Sequence, residues 1–121
     1  MGYLENGYFH IENRQEILRI ALADIYYFEK IKGTHNTCVV FANGLSTFRS
    51  DLQDVMEQIT NSDNKDGKPI PFLQCHKAYI ANMANVRKIE KYQNGFILHF
   101  DNGQKCYCSV FYKKAVAQWK P

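Results

Sequence analysis

No apolar run in this sequence approaches the roughly 18 residues that a membrane-spanning helix needs. The start, Met-Gly-Tyr-Leu-Glu, lacks the basic and then apolar pattern of a secretion signal. The chain contains no internal repeat and no low-complexity tract, and its 121 residues suffice for one domain with a single core. We therefore expect one globular, cytoplasmic domain that does not enter a membrane.

The sequence also lacks the usual signs of catalysis or metal binding: a glycine-rich phosphate loop, clustered carboxylates or an acid that orients a histidine. An enzyme would need Cys75 or Cys106 as nucleophile and His76 or His35 as base. Adjacent Cys75 and His76 on a strand would point to opposite faces and could not pair with each other. A zinc site from these cysteines, His76 and Cys108 is conceivable, but the spacing fits no usual structural-zinc pattern. We expect no enzyme activity and no cofactor.

The four cysteines, at positions 38, 75, 106 and 108, are expected to be reduced thiols, because the chain has no secretion signal. Cys106 and Cys108 would share one face of a strand, an arrangement poorly suited to a bridge between them.

Proline and tryptophan are scarce, with three residues and one, whereas tyrosine and phenylalanine occur eight times each, a composition that favours β structure. Apolar residues 17–25 predict a strand that runs into a short turn at Ala23-Asp24. Further strands are predicted over residues 26–29, 37–41, 45–48, 72–80, 86–92, 95–100 and 105–110. Asn43-Gly44 and Asp101-Asn102-Gly103 predict hairpin turns. Because the α/β alternation of a parallel sheet is absent, we expect a mainly antiparallel β domain.

One segment has a helical period instead. Its apolar residues are Leu52, Val55, Met56 and Ile59. The spacing predicts a short amphipathic helix over residues 50–60 with Ser50 as the N-cap. The polar residues 61–71 predict a long loop, and residues 112–119 suggest a final helical turn.

Charge is distributed unevenly along the chain. Residues 1–64 contain five lysines and arginines against nine acidic residues, whereas residues 65–121 contain ten against three. A basic half on a nearly neutral protein is typical of a polyanion binder, although a solvated surface would give the same count.

Three segments carry basic, histidine or hydroxyl side chains: the loop Phe28–Asn36, the segment Gln74-Cys-His-Lys77, and the segment Lys105–Lys114. In the last, a strand that ends in Ser109 and continues into lysines would suit a phosphate group. Each segment alone is equally compatible with an ordinary surface loop or strand end.

Together, these segments resemble the LytTR family of bacterial DNA-binding domains. The resemblance covers residues 9–119, and its most specific part is Phe72-x-x-Cys-His76 followed by Tyr79-Ile-x-Asn82. It includes Asp24–Glu29 and Tyr107–Val110, and it is greatest for the quorum-sensing, AgrA-like branch.

The resemblance implies an elongated, ten-stranded fold of small antiparallel sheets, whose loops at one edge enter successive major grooves and bend the duplex. By the same resemblance, base contacts are assigned to His35, Lys77 and Phe111. Phosphate contacts are assigned to Arg49, His76, Lys105, Ser109, Lys113 and Lys114. The quorum-sensing branch has arginine at position 111, a side chain that can read guanine bidentately. Phe111 would instead touch a thymine methyl, or the basic role would pass to Lys113 and Lys114.

The resemblance further implies the effector domain of a two-component transcriptional regulator, which follows a phospho-receiver domain in the full-length protein. We expect residues 1–8 to be an N-terminal extension or a remnant of cloning, and residues 9–121 to be the domain. It should be a monomer that binds double-stranded DNA with paired repeat half-sites. Cys75 and Cys106, close together in the family fold, are redox candidates whose thiolate pKa values His76 and Lys105 would lower. The alternative is a protein or peptide interaction module on an aromatic-rich sheet.

Overall fold

The computed structural model describes residues 2–61 and 71–109. Within these ranges, eleven strands form three antiparallel sheets, and one α-helix packs among them, which confirms the mainly β fold. The elements are β1 (Gly2–Glu5), β2 (Tyr8–Glu12), β3 (Ile17–Ala21), β4 (Ile25–Lys30), β5 (Asn36–Phe41), β6 (Gly44–Arg49), α1 (Leu52–Asn61), β7 (Phe72–His76), β8 (Tyr79–Asn82), β9 (Lys88–Tyr92), β10 (Gly95–His99) and β11 (Lys105–Cys108). No helix in these two ranges is long and apolar enough to cross a membrane.

The first sheet has the order β1-β2-β3, the second β6-β5-β4-β8-β7, and the third β9-β10-β11. The second sheet is the centre of the molecule, because apolar side chains cover both of its faces. This double burial explains why four consecutive residues of β4, from Ile25 to Phe28, are all buried. A bulge between Ile25 and Tyr27 places Ile25 and Phe28 in one core cluster and Tyr26 and Tyr27 in the other.

The predicted strand over residues 72–80 is wrong, because the chain reverses within it. β7 ends at His76, Lys77 and Ala78 form a tight turn, and Tyr79 pairs with His76 at the start of β8. The backbone N–H of Ala78 donates to Nδ1 of His76 at 3.0 Å, so a side chain closes this turn. The sequence concealed the reversal, because the turn contains none of the glycine, proline or asparagine residues that usually mark one.

The N-terminal residues 2–5, which the sequence suggested to be part of an extension, form strand β1 and pair with β2. Gly2 packs so closely that an added Cβ would lie 2.7 Å from a ring carbon of Phe48 and 2.8 Å from one of Phe9. The side chain of Gln58 on α1 accepts from the N–H of Leu4 and donates to the carbonyl of Gly2. The helix and the first sheet are therefore joined by hydrogen bonds as well as by apolar contacts.

The helix begins at Leu52, and its buried residues Leu52, Val55 and Ile59 confirm the predicted apolar stripe. The expected cap at Ser50 is wrong by one residue, because the carbonyl of Asp51 accepts the first helical N–H groups. The carbonyl of Ser50 instead accepts a 2.7 Å hydrogen bond from the buried hydroxyl of Thr37 on β5.

Both predicted hairpin turns are present, but one of them lies one residue earlier in the chain than predicted. Asp101–Gly103 connects β10 to β11, and its Asn102 and Gly103 have positive φ angles of 64° and 74°. The turn between β5 and β6 consists of Ala42 and Asn43, since Gly44 already pairs with Phe41. Residues 62–70 and 110–121, which include most of the predicted loop and the predicted final helical turn, lie outside the described residues.

Candidate nucleic-acid interface

The loop between β4 and β5 carries His35 on a braced backbone. The N–H of Ile31 donates to the carbonyl of Asn36, and the hydroxyl of Thr34 donates to the carbonyl of Ile31 at 2.8 Å. The same hydroxyl accepts from the N–H of Asn36, and Gly33 supplies the positive φ of 79° at the tip. The side chain of His35 is nevertheless 78% exposed. The loop therefore presents an exposed imidazole from an ordered support.

The turn that carries Lys77 lies directly beside this loop. The N–H of Lys30, the last residue of β4, donates to the carbonyl of Ala78 at 2.8 Å. The exposed Lys77 occupies the same turn as Ala78. Two segments more than 40 residues apart thus meet at one edge of the central sheet.

His35 and Lys77 line one cleft of about 740 Å³ between the loop, the turn and helix α1. Its charged and polar lining consists mainly of Lys30, His35, Asp51, Glu57, Gln74 and Lys77. The formal charges of the two lysines and the two carboxylates balance. Such a lining suits the donors and acceptors of base edges better than it suits a row of phosphates. The sequence did not point to the contribution of the helix, because Asp51 and Glu57 have no motif to distinguish them from ordinary surface acids.

His35 contacts one of these acids. Its Nδ1 lies 3.1 Å from Oδ1 of Asp51, and both side chains are at least half exposed. An exposed pair of this kind adds little to stability.

His76 and Ser109 line a second, smaller cleft of about 320 Å³. They are brought together because the N–H of Ser109 donates to the carbonyl of Cys75 at 2.8 Å. Burial, and then the charge of Lys77, lowers the pKa of His76. Since Nδ1 accepts from Ala78, the neutral ring carries its hydrogen on Nε2. That N–H group is a suitable donor for a phosphate oxygen.

Tyr79 supports His76 from the neighbouring strand. The two rings meet edge to face with centroids 5.6 Å apart. The hydroxyl of Tyr79 lies 3.5 Å from Oε2 of Glu29. Burial and the charge of Glu29 raise the pKa of Tyr79 to about 12, so this hydroxyl remains a neutral donor.

The other predicted phosphate contacts are dispersed. Arg49 is exposed at the end of β6 and pairs in register with Asn36, next to His35. Lys105 pairs with His99 at the opposite end of β11 from Ser109, so the structure does not bring Lys105 and Ser109 together. Three further residues to which DNA contacts are assigned lie outside the described residues: Phe111, Lys113 and Lys114.

Cys75 and Cys106 are both buried, and their sulfur atoms lie 3.9 Å apart. The hydrogen bond with Cys75 and burial raise the pKa of Cys106. The expectation that neighbouring His76 and Lys105 lower the pKa of this thiol is therefore wrong, because the hydrogen bond with Cys75 and burial both raise it. Within residues 2–61 and 71–109, no group of three or more histidine, cysteine or acidic side chains is arranged to hold a metal ion.

The comparisons with known proteins agree with one another. The sequence matches the family model described as the LytTr DNA-binding domain over residues 15–120. A similar solved structure is the LytTr DNA-binding domain of a methyl-accepting/DNA response regulator from Bacillus cereus. It has a TM-score of 0.75 and 19% sequence identity, and the alignment covers 94% of this chain and 96% of that one. A comparison with curated proteins gives no significant match. At 19% identity the structural likeness concerns the fold, whereas the family model concerns the sequence itself.

Proposed function

The chain belongs to the family of LytTr DNA-binding domains, and from this premise we propose that it binds double-stranded DNA sequence-specifically. In this proposal it is the effector domain of a bacterial two-component transcriptional regulator, and loops at one edge of the fold enter successive major grooves. The observation that carries the proposal is the meeting of His35 and Lys77 in one cleft.

The composition of this cleft supports the assignment of base contacts and phosphate contacts to different side chains. The balanced charges around His35 and Lys77 give little attraction for phosphates, whereas an imidazole and an ammonium group can hydrogen-bond to base edges in the major groove. We assign base contacts to His35 and Lys77, and to Phe111 beyond the described residues.

Phosphate contacts are assigned to side chains that do not line this cleft among the described residues, and to two lysines beyond those residues. His76 offers an N–H donor, and Arg49 adds an exposed cation beside the His35 loop. The full assignment is Arg49, His76, Lys105, Ser109, Lys113 and Lys114. Such contacts hold the register of the protein on the duplex without reading its sequence.

We propose that, within the family, the chain belongs near the quorum-sensing, AgrA-like branch, on the resemblance of its Cys75-His76 pair and its Cys106–Val110 segment. We therefore propose that the chain acts in the cytoplasm, downstream of a phospho-receiver domain in the full-length protein. The DNA target would contain paired repeat half-sites.

A salt titration tests DNA binding. The bound duplex should release about five counterions, four to the phosphate-contacting cations and one to the ammonium of Lys77, so log K should fall against log salt with a slope of about −4 to −5. The four phosphate-contacting cations are Arg49, Lys105, Lys113 and Lys114. Duplexes selected from a random library would provide the specific site, and a scrambled duplex of equal length would be the control. A slope near zero would exclude DNA as the partner.

The same titration distinguishes the alternative of a peptide-binding module. Tyr92 and Tyr107 favour that alternative, because they are 45% and 40% exposed on the third sheet and their rings lie 6.1 Å apart. Binding through these rings would be largely insensitive to salt, since it would depend on apolar contact rather than on counterion release.

A further inference from the structure

The contact between His35 and Asp51 leads to an inference about specificity that rests on the proposed function. We propose that Asp51 is a positioning residue for His35: its carboxylate selects the tautomer and direction of the imidazole, and thereby determines which base the ring reads. The supporting observation is the 3.1 Å contact between Nδ1 and Oδ1, together with the way each partner is held.

The backbone of the loop holds His35 from one side. The hydroxyl of Thr34 both donates to the carbonyl of Ile31 and accepts from the N–H of Asn36, the residues on either side of the loop tip. The position of the His35 Cα atom is therefore fixed. The direction of its exposed ring is left to side-chain contacts.

Helix α1 and strand β5 hold Asp51 from the other side. The buried hydroxyl of Thr37 donates to the carbonyl of Ser50, which ties the residue before Asp51 to the strand that follows His35. The carbonyl of Asp51 accepts the N–H groups of Asp54 and Val55 at the start of the helix. The Asp51 carboxylate is thus attached to a rigid element, and the distance to His35 is set by the fold.

A carboxylate can only accept a hydrogen bond, so Nδ1 of His35 must carry the hydrogen. In the neutral ring, Nε2 is then an acceptor on the side facing away from Asp51. In the major groove an acceptor pairs with the exocyclic amino group of adenine or cytosine, whereas guanine presents two acceptors there. The structure therefore assigns His35 a preference for an amino-bearing base. The remaining charged groups of the cleft are Lys30, Glu57 and Lys77.

Asp51→Asn is the sharpest test, because asparagine keeps the size and the capping ability of aspartate but can also donate to Nδ1. Asp54→Asn is the matched control: Asp54 is exposed in the first turn of the same helix, and its substitution removes the same charge. Asp51→Glu should retain the effect in part, since it restores an acceptor on a longer side chain. Nitrogen-15 NMR spectra at about pH 8, where histidine is ordinarily neutral, report the tautomer directly.

In the wild-type chain we expect the Nδ1–H form of His35, and in Asp51→Asn a mixture of both forms. Discrimination at one base pair of the selected site should fall about five- to tenfold in Asp51→Asn, the effect of one misdirected hydrogen bond. Asp54→Asn should change neither property. The inference is overturned if the wild-type ring carries its hydrogen on Nε2, or if the two asparagine variants change base preference equally.

These outcomes are separable from failure of the proposed function. If the wild-type chain binds no duplex, DNA binding itself fails and the tautomer result stands alone as a property of the free protein. If the chain binds its selected site specifically and Asp51→Asn retains full discrimination, only the role of Asp51 fails.

Discussion

His76 illustrates how one side chain can shape the backbone and prepare a binding group. Its Nδ1 closes the β7–β8 turn by accepting from Ala78, and this leaves Nε2 with the hydrogen. Burial, and then the charge of the adjacent Lys77, lowers the pKa of His76, which favours the neutral ring. In the arrangement proposed for His35 the hydrogen lies instead on Nδ1, which is 3.1 Å from Oδ1 of Asp51. Two histidines near one turn thus offer a donor and an acceptor.

At the residue scale, base contacts and phosphate contacts should respond differently to substitution. His35→Ala or Lys77→Ala should cost about 1–3 kcal/mol on the selected site and far less on random duplex. Lys113→Ala or Lys114→Ala should weaken both kinds of DNA alike and reduce the salt slope by about one unit. Fluorescence titrations on both duplexes at several salt concentrations measure these quantities.

Phe111→Arg should change the base preference rather than weaken binding. An arginine that faces a base should shift the preference towards guanine at one base pair of the selected site. If all five variants lose specific and random binding in the same proportion, the assignment of His35 and Lys77 to base reading is wrong.

The neighbouring thiols of Cys75 and Cys106 give another prediction at the residue scale. Oxidation by diamide would remove two electrons and two protons from Cys75 and Cys106 and form one disulfide, since their sulfur atoms are already 3.9 Å apart. DNA binding should weaken and recover with dithiothreitol. The raised pKa of Cys106 should make the reaction slower than that of an exposed thiol. A Cys75→Ser, Cys106→Ser variant should not respond, and an equal loss of binding in that variant would exclude the mechanism.

At the scale of elements, strand β1 depends on a position that only glycine fits. A methyl group at Gly2 would press on the buried rings of Phe9 and Phe48. Gly2→Ala should therefore destabilise the fold by about 1–3 kcal/mol, as overpacking of a core does. Urea unfolding measures the change, with the exposed Glu5→Ala on the same strand as a control expected within about 0.5 kcal/mol of wild type. Equal stability of the two variants would show that β1 does not pack as described.

The elements also show what could be predicted from the sequence. Long periodic segments, such as the helix around Val55 and the strands that flank the Asp101–Gly103 turn, were recognisable from local pattern alone. The reversal at Lys77 was not, because a side-chain nitrogen of His76 and a backbone contact to Lys30 replace the usual turn residues. Strand β1 has no local signal in the sequence for a similar reason. Gly2 packs against the rings of Phe9 and Phe48, which lie more than six residues away along the chain.

The candidate site was predictable only in part. His35 and Lys77 came from a resemblance to a family, and the structure brings them into one cleft. Asp51 and Glu57 could not be foreseen, since their relevance depends on the placement of helix α1 beside the His35 loop. Contacts between elements distant in sequence leave no local pattern in the sequence.

At the scale of the whole molecule, the acidic and basic halves of the chain mix within residues 2–61 and 71–109. The central sheet takes β4, β5 and β6 from the first half and β7 and β8 from the second. As a result, Lys30 and Lys77 line the same cleft as Asp51 and Glu57. Arg87 in the basic half forms an ion pair with Asp101, with Nη2 3.2 Å from Oδ2. The net charge of that half therefore overstates the number of cations without a neighbouring carboxylate. The charge that DNA encounters is therefore set by topology rather than by position along the sequence.

The last prediction concerns assembly. The sequence contains no obvious apolar dimer stripe, so the chain should sediment as a monomer without DNA. A duplex with two half-sites spaced by one helical turn, roughly 10.5 base pairs, places both sites on the same side of the helix and should hold two chains. A duplex with one half-site, the control, should hold one chain with the same affinity per site, because the two chains make no stable contact with each other. Sedimentation velocity gives both stoichiometries, and a stable dimer in the absence of DNA would contradict the prediction.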